Sequence, residues 1–197
     1  MPVRRGEAAG WAAVRRGSSW LAIAATLAVA ALVACGTDSG SAAGSAKNPE
    51  AWAGQVCAAL TPWRGQIAQL NARAQQQVTA ASTPTQTRDS LLDLLAGGET
   101  ASETARAAVV AAGAPDVDGG TEVAGRFAAS LEQTRDAYAD ARAELLALST
   151  NDGSMFYAGV ASVLSTLNAE YARAGVDTSG LDSVELRTAF DKAESCR

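Results

Sequence analysis

Polar and apolar positions follow helical periods over most of the chain. Val56, Leu60, Trp63, Ile67, Leu70 and Ala74 are spaced by alternating steps of four and three, the mark of a buried helical stripe. Thr61-Pro62 falls inside it. Proline suits a first turn and breaks a helix interior, so a kink or a fresh start is expected there. The segment ends near Ser82-Thr83-Pro84. A second stripe runs Leu91, Leu95, Gly98, Ser102, Ala105, Val109 and Ala112. Its small residues let a neighbouring helix come close, and Gly97-Gly98 adds a point of bending, since each helical glycine costs about 1 kcal/mol. Gly113-Ala114-Pro115 ends this helix.

The third stripe is the most regular: Val123, Phe127, Leu131, Thr134, Tyr138, Ala141, Leu145 and Leu148, a heptad-like seam after Phe127. Ser149 to Gly153 supplies a turn and a new cap. A fourth helix carries Phe156, Val160, Val163, Leu167 and Tyr171 and ends near Gly175. A last short helix is expected from about Ser183 to Glu194. No stretch alternates at period two for long enough to demand a sheet. The expected fold is all-α: an up-down four-helix bundle plus a short C-terminal helix. The Thr83 and Pro115 connections are longer than tight turns, so the number of helices is better determined than their order.

Upstream the pattern changes. Residues 1–16 are basic, and Trp20 to Ala34 is an apolar run broken only by Thr26. That run is shorter than the ~20 residues of a spanning helix and ends in small residues, which reads as a secretory signal peptide. Gly36 to Lys47 reads GTDSGSAAGSAK, with no apolar period, and is expected to be a flexible tether reaching roughly 20 Å. The chain therefore divides into a signal peptide (1–34), a cysteine with its tether (35–48) and a helical domain (49–197).

The apolar run closes on Leu32-Val33-Ala34-Cys35-Gly36. This resembles the lipobox of bacterial lipoproteins. The resemblance covers the first 36 residues and implies that Cys35 takes a diacylglyceryl group and becomes the first residue after cleavage. An ordinary signal peptide or an uncleaved anchor with an incidental cysteine is the alternative, and either would still place the domain outside the cytoplasm. A free, exposed cysteine is a liability in an oxidising compartment, and two acyl chains hold a protein stably where one is marginal. The stretch AWAGQVCAALTPW, with a cysteine after an acidic C-terminal helix, resembles small lipoproteins of high-GC Gram-positive bacteria. That likeness implies an outward-facing cell-membrane address and carries no activity with it.

With lipid on Cys35, Cys57 and Cys196 remain as an even pair. In an exported protein such a pair is expected to form a disulfide, here tying the first helix to the penultimate residue. The rival, a reactive thiol pair, has neither a CxxC spacing nor a basic neighbour in its favour.

Composition narrows the chemistry. Abundant alanine agrees with helices. Histidine is absent from the 197 residues, which removes the usual general base and the usual metal ligand. Lys47 and Lys192 are the lysines, and both are expected at the surface. Net charge is −5 overall. Four arginines against Glu7 give residues 1–34 a charge of +3, so the remainder carries −8. Such a domain repels phosphate backbones, which argues against nucleic acid as a partner. No P-loop, dinucleotide fingerprint, HExxH, CxxC or GxSxG motif is present, and no cofactor is expected.

Three places invite a site. Glu132, Asp136, Asp140 and Glu144 lie four apart on the third helix and form an acidic ridge for a basic partner or a divalent cation, or simply a solvated face tempered by Arg135 and Arg142. The same carboxylates could suggest glycoside hydrolysis, but that needs a cleft and one raised pKa. Asp116, Asp118 and Glu122 surround Gly119-Gly120, yet the spacing fails a calcium loop, and Asp118 or Thr121 is the expected helix cap. Trp52 and Trp63 flank Cys57. They either line a ligand groove near the kink or pack over the disulfide and a helix end, and Trp52 could also rest at a membrane interface.

The leading expectation is a non-enzymatic, membrane-anchored module that presents one face to an envelope protein. A small-molecule or lipid-binding bundle is the alternative and requires a cavity. A carboxylate hydrolase of envelope polymers comes third and requires a groove holding two acids, one of them partly buried.

Overall fold

Helix starts are set by side chains that satisfy the first free amides. In the computed structural model, which describes residues 46–175 and 183–197, Asn48 accepts from the amides of Glu50 and Ala51 and opens α1 (Pro49–Gln77). Thr83 and Gln86 form a reciprocal capping box at the start of α2 (Pro84–Ala112). Next come α3 (Gly120–Ala147), α4 (Gly153–Ala174), α5 (Val184–Lys192) and a closing 3₁₀ turn, Glu194–Cys196. Asp152 caps α4 and Ser183 caps α5. No described helix is long and apolar enough to cross a membrane. The leader, Cys35 and most of the tether lie outside the described residues.

Two local expectations change. First, α1 does not restart at Pro62 but continues through it. Pro62 is exposed, and so is Ala58, whose carbonyl loses its amide partner, so the missing bond falls where water can replace it. Second, neither Asp118 nor Thr121 caps α3. Its cap is Gly119 in the left-handed conformation (φ 71°), with no side-chain bond. The tight turn is closed by the Gly120 amide donating to the Val117 carbonyl, and a Cβ on Gly120 would strike the carbonyl of Pro115. Backbone closure has taken the place of a side-chain cap.

Contacts across the helices establish their directions. The Trp52 indole N–H donates to the Gly113 carbonyl and that of Trp63 to Ser102 Oγ, so α1 and α2 are antiparallel. Glu103 with Arg135 and Glu99 with Arg142 do the same for α2 and α3. Tyr138 against Tyr171, and Leu148 beside Gly159, do so for α3 and α4. The bundle is therefore up-down, as its short joins imply.

The core has two parts. One gathers Trp52, Val56, Leu60, Val109, Phe127 and Leu131 with Leu186 and Phe190 of α5. The other gathers Leu91, Leu95, Tyr138, Leu145, Phe156, Val163 and Leu167. The fourth place in the bundle is thus shared, with α5 serving one part and α4 the other. Backbones of α1 and α4 never meet: no Cα of one lies within 8 Å of a Cα of the other.

Cys57 and Cys196 form a disulfide, with Cα atoms 5.1 Å apart. Ser195 supports it by donating through Oγ to the Gly54 carbonyl at 2.7 Å. At the other end of the domain's chain, Lys47 is bound rather than part of a free tether. Its amide donates to Ala114 O, its carbonyl accepts from the Asp116 amide, and its Nζ donates to Gln55. Lys47, expected within the tether, is thus held by the fold.

Candidate functional site

The separation of α1 from α4 leaves a lateral cleft of about 590 Å³. Its origin lies in side-chain volume. Beyond Trp63, the core-facing positions of α1 carry only Ile67, Leu70 and Ala74, and Leu70 turns to α2, where it fills the space beside Gly97. Little bulk remains to reach α4. One wall of the cleft is therefore Ile67 and Ala74 of α1 with Val78 just past its end, and another is Leu91 and Leu94 of α2. The third is Leu164, Leu167 and Tyr171 of α4, with Tyr138 of α3 completing the lining. Three neutral amides join them: Asn71, Gln75 and Asn168, all exposed. None of the described lining residues is charged.

Tyr138 is the polar group held deepest, at 5% exposure. Gly98 makes room for it: a Cβ there would lie 2.6 Å from the tyrosine ring. The ring meets Tyr171 edge-on, and Tyr171 in turn stacks on Trp63 with centroids 6.3 Å apart. The Tyr138 hydroxyl makes no hydrogen bond to any described residue. Burial pushes its pKa up to about 12, with the neighbouring Tyr171 adding to the rise. Burial also raises Tyr171, partly opposed by Arg64. Both phenols therefore stay protonated at neutral pH.

The acidic ridge is differently placed and only partly free. Glu132, Asp136, Asp140 and Glu144 are all exposed. Arg135 bonds Asp136 at 2.7 Å, Glu132 at 3.3 Å and, across the helices, Glu103 at 2.9 Å. Glu103 also accepts two bonds from Arg106, and these two arginines hold its carboxyl down to about 2. Half of the ridge is thus neutralised in a network of its own. None of its carboxylates lines the cleft, and no described group of histidine, cysteine or acidic residues is arranged to hold a metal ion.

The tryptophans are not where a groove or a membrane surface would need them. Trp52 is fully buried, edge-on to Phe127 and Phe190, with its N–H on the Gly113 carbonyl. Trp63 is 3% exposed. Of the readings open for them, packing in the core beside the disulfide holds, whereas a groove between them and an interfacial Trp52 do not, because the end of α1 that carries Cys57 is enclosed by α5. The residues that do form a cleft were read as core (Tyr138, Tyr171) or went unnoticed (Asn71, Gln75, Asn168). The signal for it was the thinning of the α1 stripe after Ile67.

No family model matches the chain, and no curated protein or solved structure matches it either. Fold and site define its class on their own terms: a disulfide-clamped, all-α bundle with a lateral cleft of apolar and neutral polar lining.

Proposed function

We propose that this protein is an extracytoplasmic lipoprotein, held to the cell membrane through lipid on Cys35, whose helical bundle binds a small apolar molecule or lipid between α1, α2 and α4. The single observation that carries the binding role is the cleft. Its volume falls within the order of 300–1,000 Å³ typical of small-molecule sites, and its lining is apolar with a few neutral polar groups. The envelope-protein reading has less support, because Trp52 and Trp63 are buried and Arg135 occupies Glu132 and Asp136. A carboxylate hydrolase has less still, since the described cleft lining contains no acid. The role is binding without catalysis and without a cofactor. The anchor rests on the Leu32–Cys35 motif behind an apolar run.

Both halves are testable. A form beginning at Gly36 keeps every core contact described above. Titrated with the uncharged dye N-phenyl-1-naphthylamine, it should give a saturable, blue-shifted signal at one site. Asn168→Trp, which adds bulk to an exposed cleft residue, should abolish that signal while leaving the fold intact by circular dichroism. A wild-type protein that gives no saturable signal refutes the binding role. In cells, Cys35→Ala should leave the chain uncleaved or released and absent from the detergent phase, whereas unchanged lipid labelling would refute the anchor.

A further inference from the structure

Arg64 stands at the end of the cleft nearer the disulfide. Trp63 and Tyr171 stack across the gap between α1 and α4 and close that end. Arg64 follows Trp63 directly. At 3.6 residues per turn it falls on the same stripe of α1 as Asn71 and Gln75, two and three turns further on, and both of these line the cleft. Its charge is felt at the Tyr171 hydroxyl, where it opposes the rise in pKa that burial causes. Arg106, Arg135 and Arg142 of α2 and α3 are each met by an acid. Arg64 is exposed, and among the described residues no acid pairs with it and no group accepts a hydrogen bond from it. The wall around it is one-sided in charge: between Glu50 and Arg88 the charged residues are Arg64 and Arg73, with no acid. Across the gap, Glu170 of α4 lies about 100° round its helix from Tyr171 and does not line the cleft.

We infer that the cleft takes a single-chain amphiphile with an oxyanion head, carboxylate or phosphate, its chain lying between α1, α2 and α4 and its head held at the rim by the Arg64 guanidinium. The inference rests on the binding role proposed above and adds the ligand class and the residue that reads it. From Arg64 to Val78 the wall rises roughly 21 Å, room for an extended acyl chain. At the rim the head keeps part of its water, so the cost of burying a charge is not incurred. A guanidinium presents a planar fork of donors that an oxyanion can accept in pairs. An ammonium head would meet like charge instead.

The test uses the form beginning at Gly36 with N-phenyl-1-naphthylamine as reporter, at low salt and pH 8. Decanoate, decyl phosphate, 1-decanol and decyltrimethylammonium compete; they share one chain and differ in the head. Arg64→Gln should weaken decanoate and decyl phosphate roughly 3- to 10-fold, the value of one charge-assisted contact at a surface, and leave decanol unchanged. Arg64→Glu should weaken the acids further and tighten decyltrimethylammonium. The loss should shrink in high salt. If one acid responds and the other does not, the inference holds and the responding group is the head. Acids that fail to compete, or that bind Arg64→Gln as well as wild type, would overturn it. So would a loss of decanol equal to that of the acids, which would mean that the arginine stem only packs. In each of these cases the reporter still binds wild type and the cleft stands. Failure of the reporter itself refutes the binding role and this inference with it.

Discussion

At the scale of residues, the glycine pair in α2 shows how one missing methyl group shapes both packing and site. Gly97 gives its space to Leu70 and Gly98 to Tyr138. Alanine is favoured over glycine in a helix by about 1 kcal/mol, so propensity alone predicts that Gly98→Ala stabilises. The ring 2.6 Å from the new Cβ predicts the reverse. A net loss of about 1–3 kcal/mol is expected in urea unfolding, as for other overpacked cores. Gly125→Ala on α3, where nothing lies within 4 Å, should instead gain about 0.5–1 kcal/mol. If both variants gain, Tyr138 is not seated as described. From sequence, the pair was legible as a place of close approach or bending. That it seats a tyrosine at a cleft was not, because Tyr138 is forty residues away along the chain.

At the scale of elements, α2 and α3 are joined by charge as well as by their apolar seams. Glu103 accepts from Arg106 on its own helix and from Arg135 on the next. Its carboxyl is depressed to about 2 from an ordinary 4.5, chiefly by the Arg106 bond and then by the Arg135 bond. A depressed acid contributes its stability above the ordinary pKa and loses it as the pH falls through the folded one. Urea midpoints should therefore drop between about pH 4.5 and about pH 2, and Glu103→Gln should flatten that part of the profile. An unaltered profile would mean that solvent screening leaves the pair without consequence. The sequence showed Arg135 beside the acidic ridge but not its partner on α2. An i,i+3 pair is readable along one helix, whereas an interhelical pair depends on which faces meet.

At the scale of the whole molecule, the disulfide ties α1 to the last turn of the chain and keeps α5 against the part of the core that holds Trp52. It closes a loop of 139 residues, which corresponds to about 5 kcal/mol in the chain-entropy picture. The double variant Cys57→Ala, Cys196→Ala should lose stability up to that amount, measured by urea unfolding under identical non-reducing conditions. A loss under about 1 kcal/mol would mean that Leu186, Phe190 and their neighbours hold α5 unaided.

The helices, their buried stripes and the cysteine pair were all readable without a structure. Each depends on periodicity, capping chemistry or parity, and those are properties of residues close in sequence or counted over it. The buried stripes agree at most positions: every member of the second is buried, Leu148 of the third and Ile67 and Leu70 of the first are partly exposed, and Tyr171 of the fourth is exposed. The tertiary structure decided the rest. It continued α1 through Pro62, buried Trp52 behind α5, spent half of the acidic ridge on Arg135, and left α1 and α4 apart. Each of these outcomes depends on which faces meet across stretches of chain far apart in sequence. A cleft is the clearest case, because it is made by what two distant helices fail to fill.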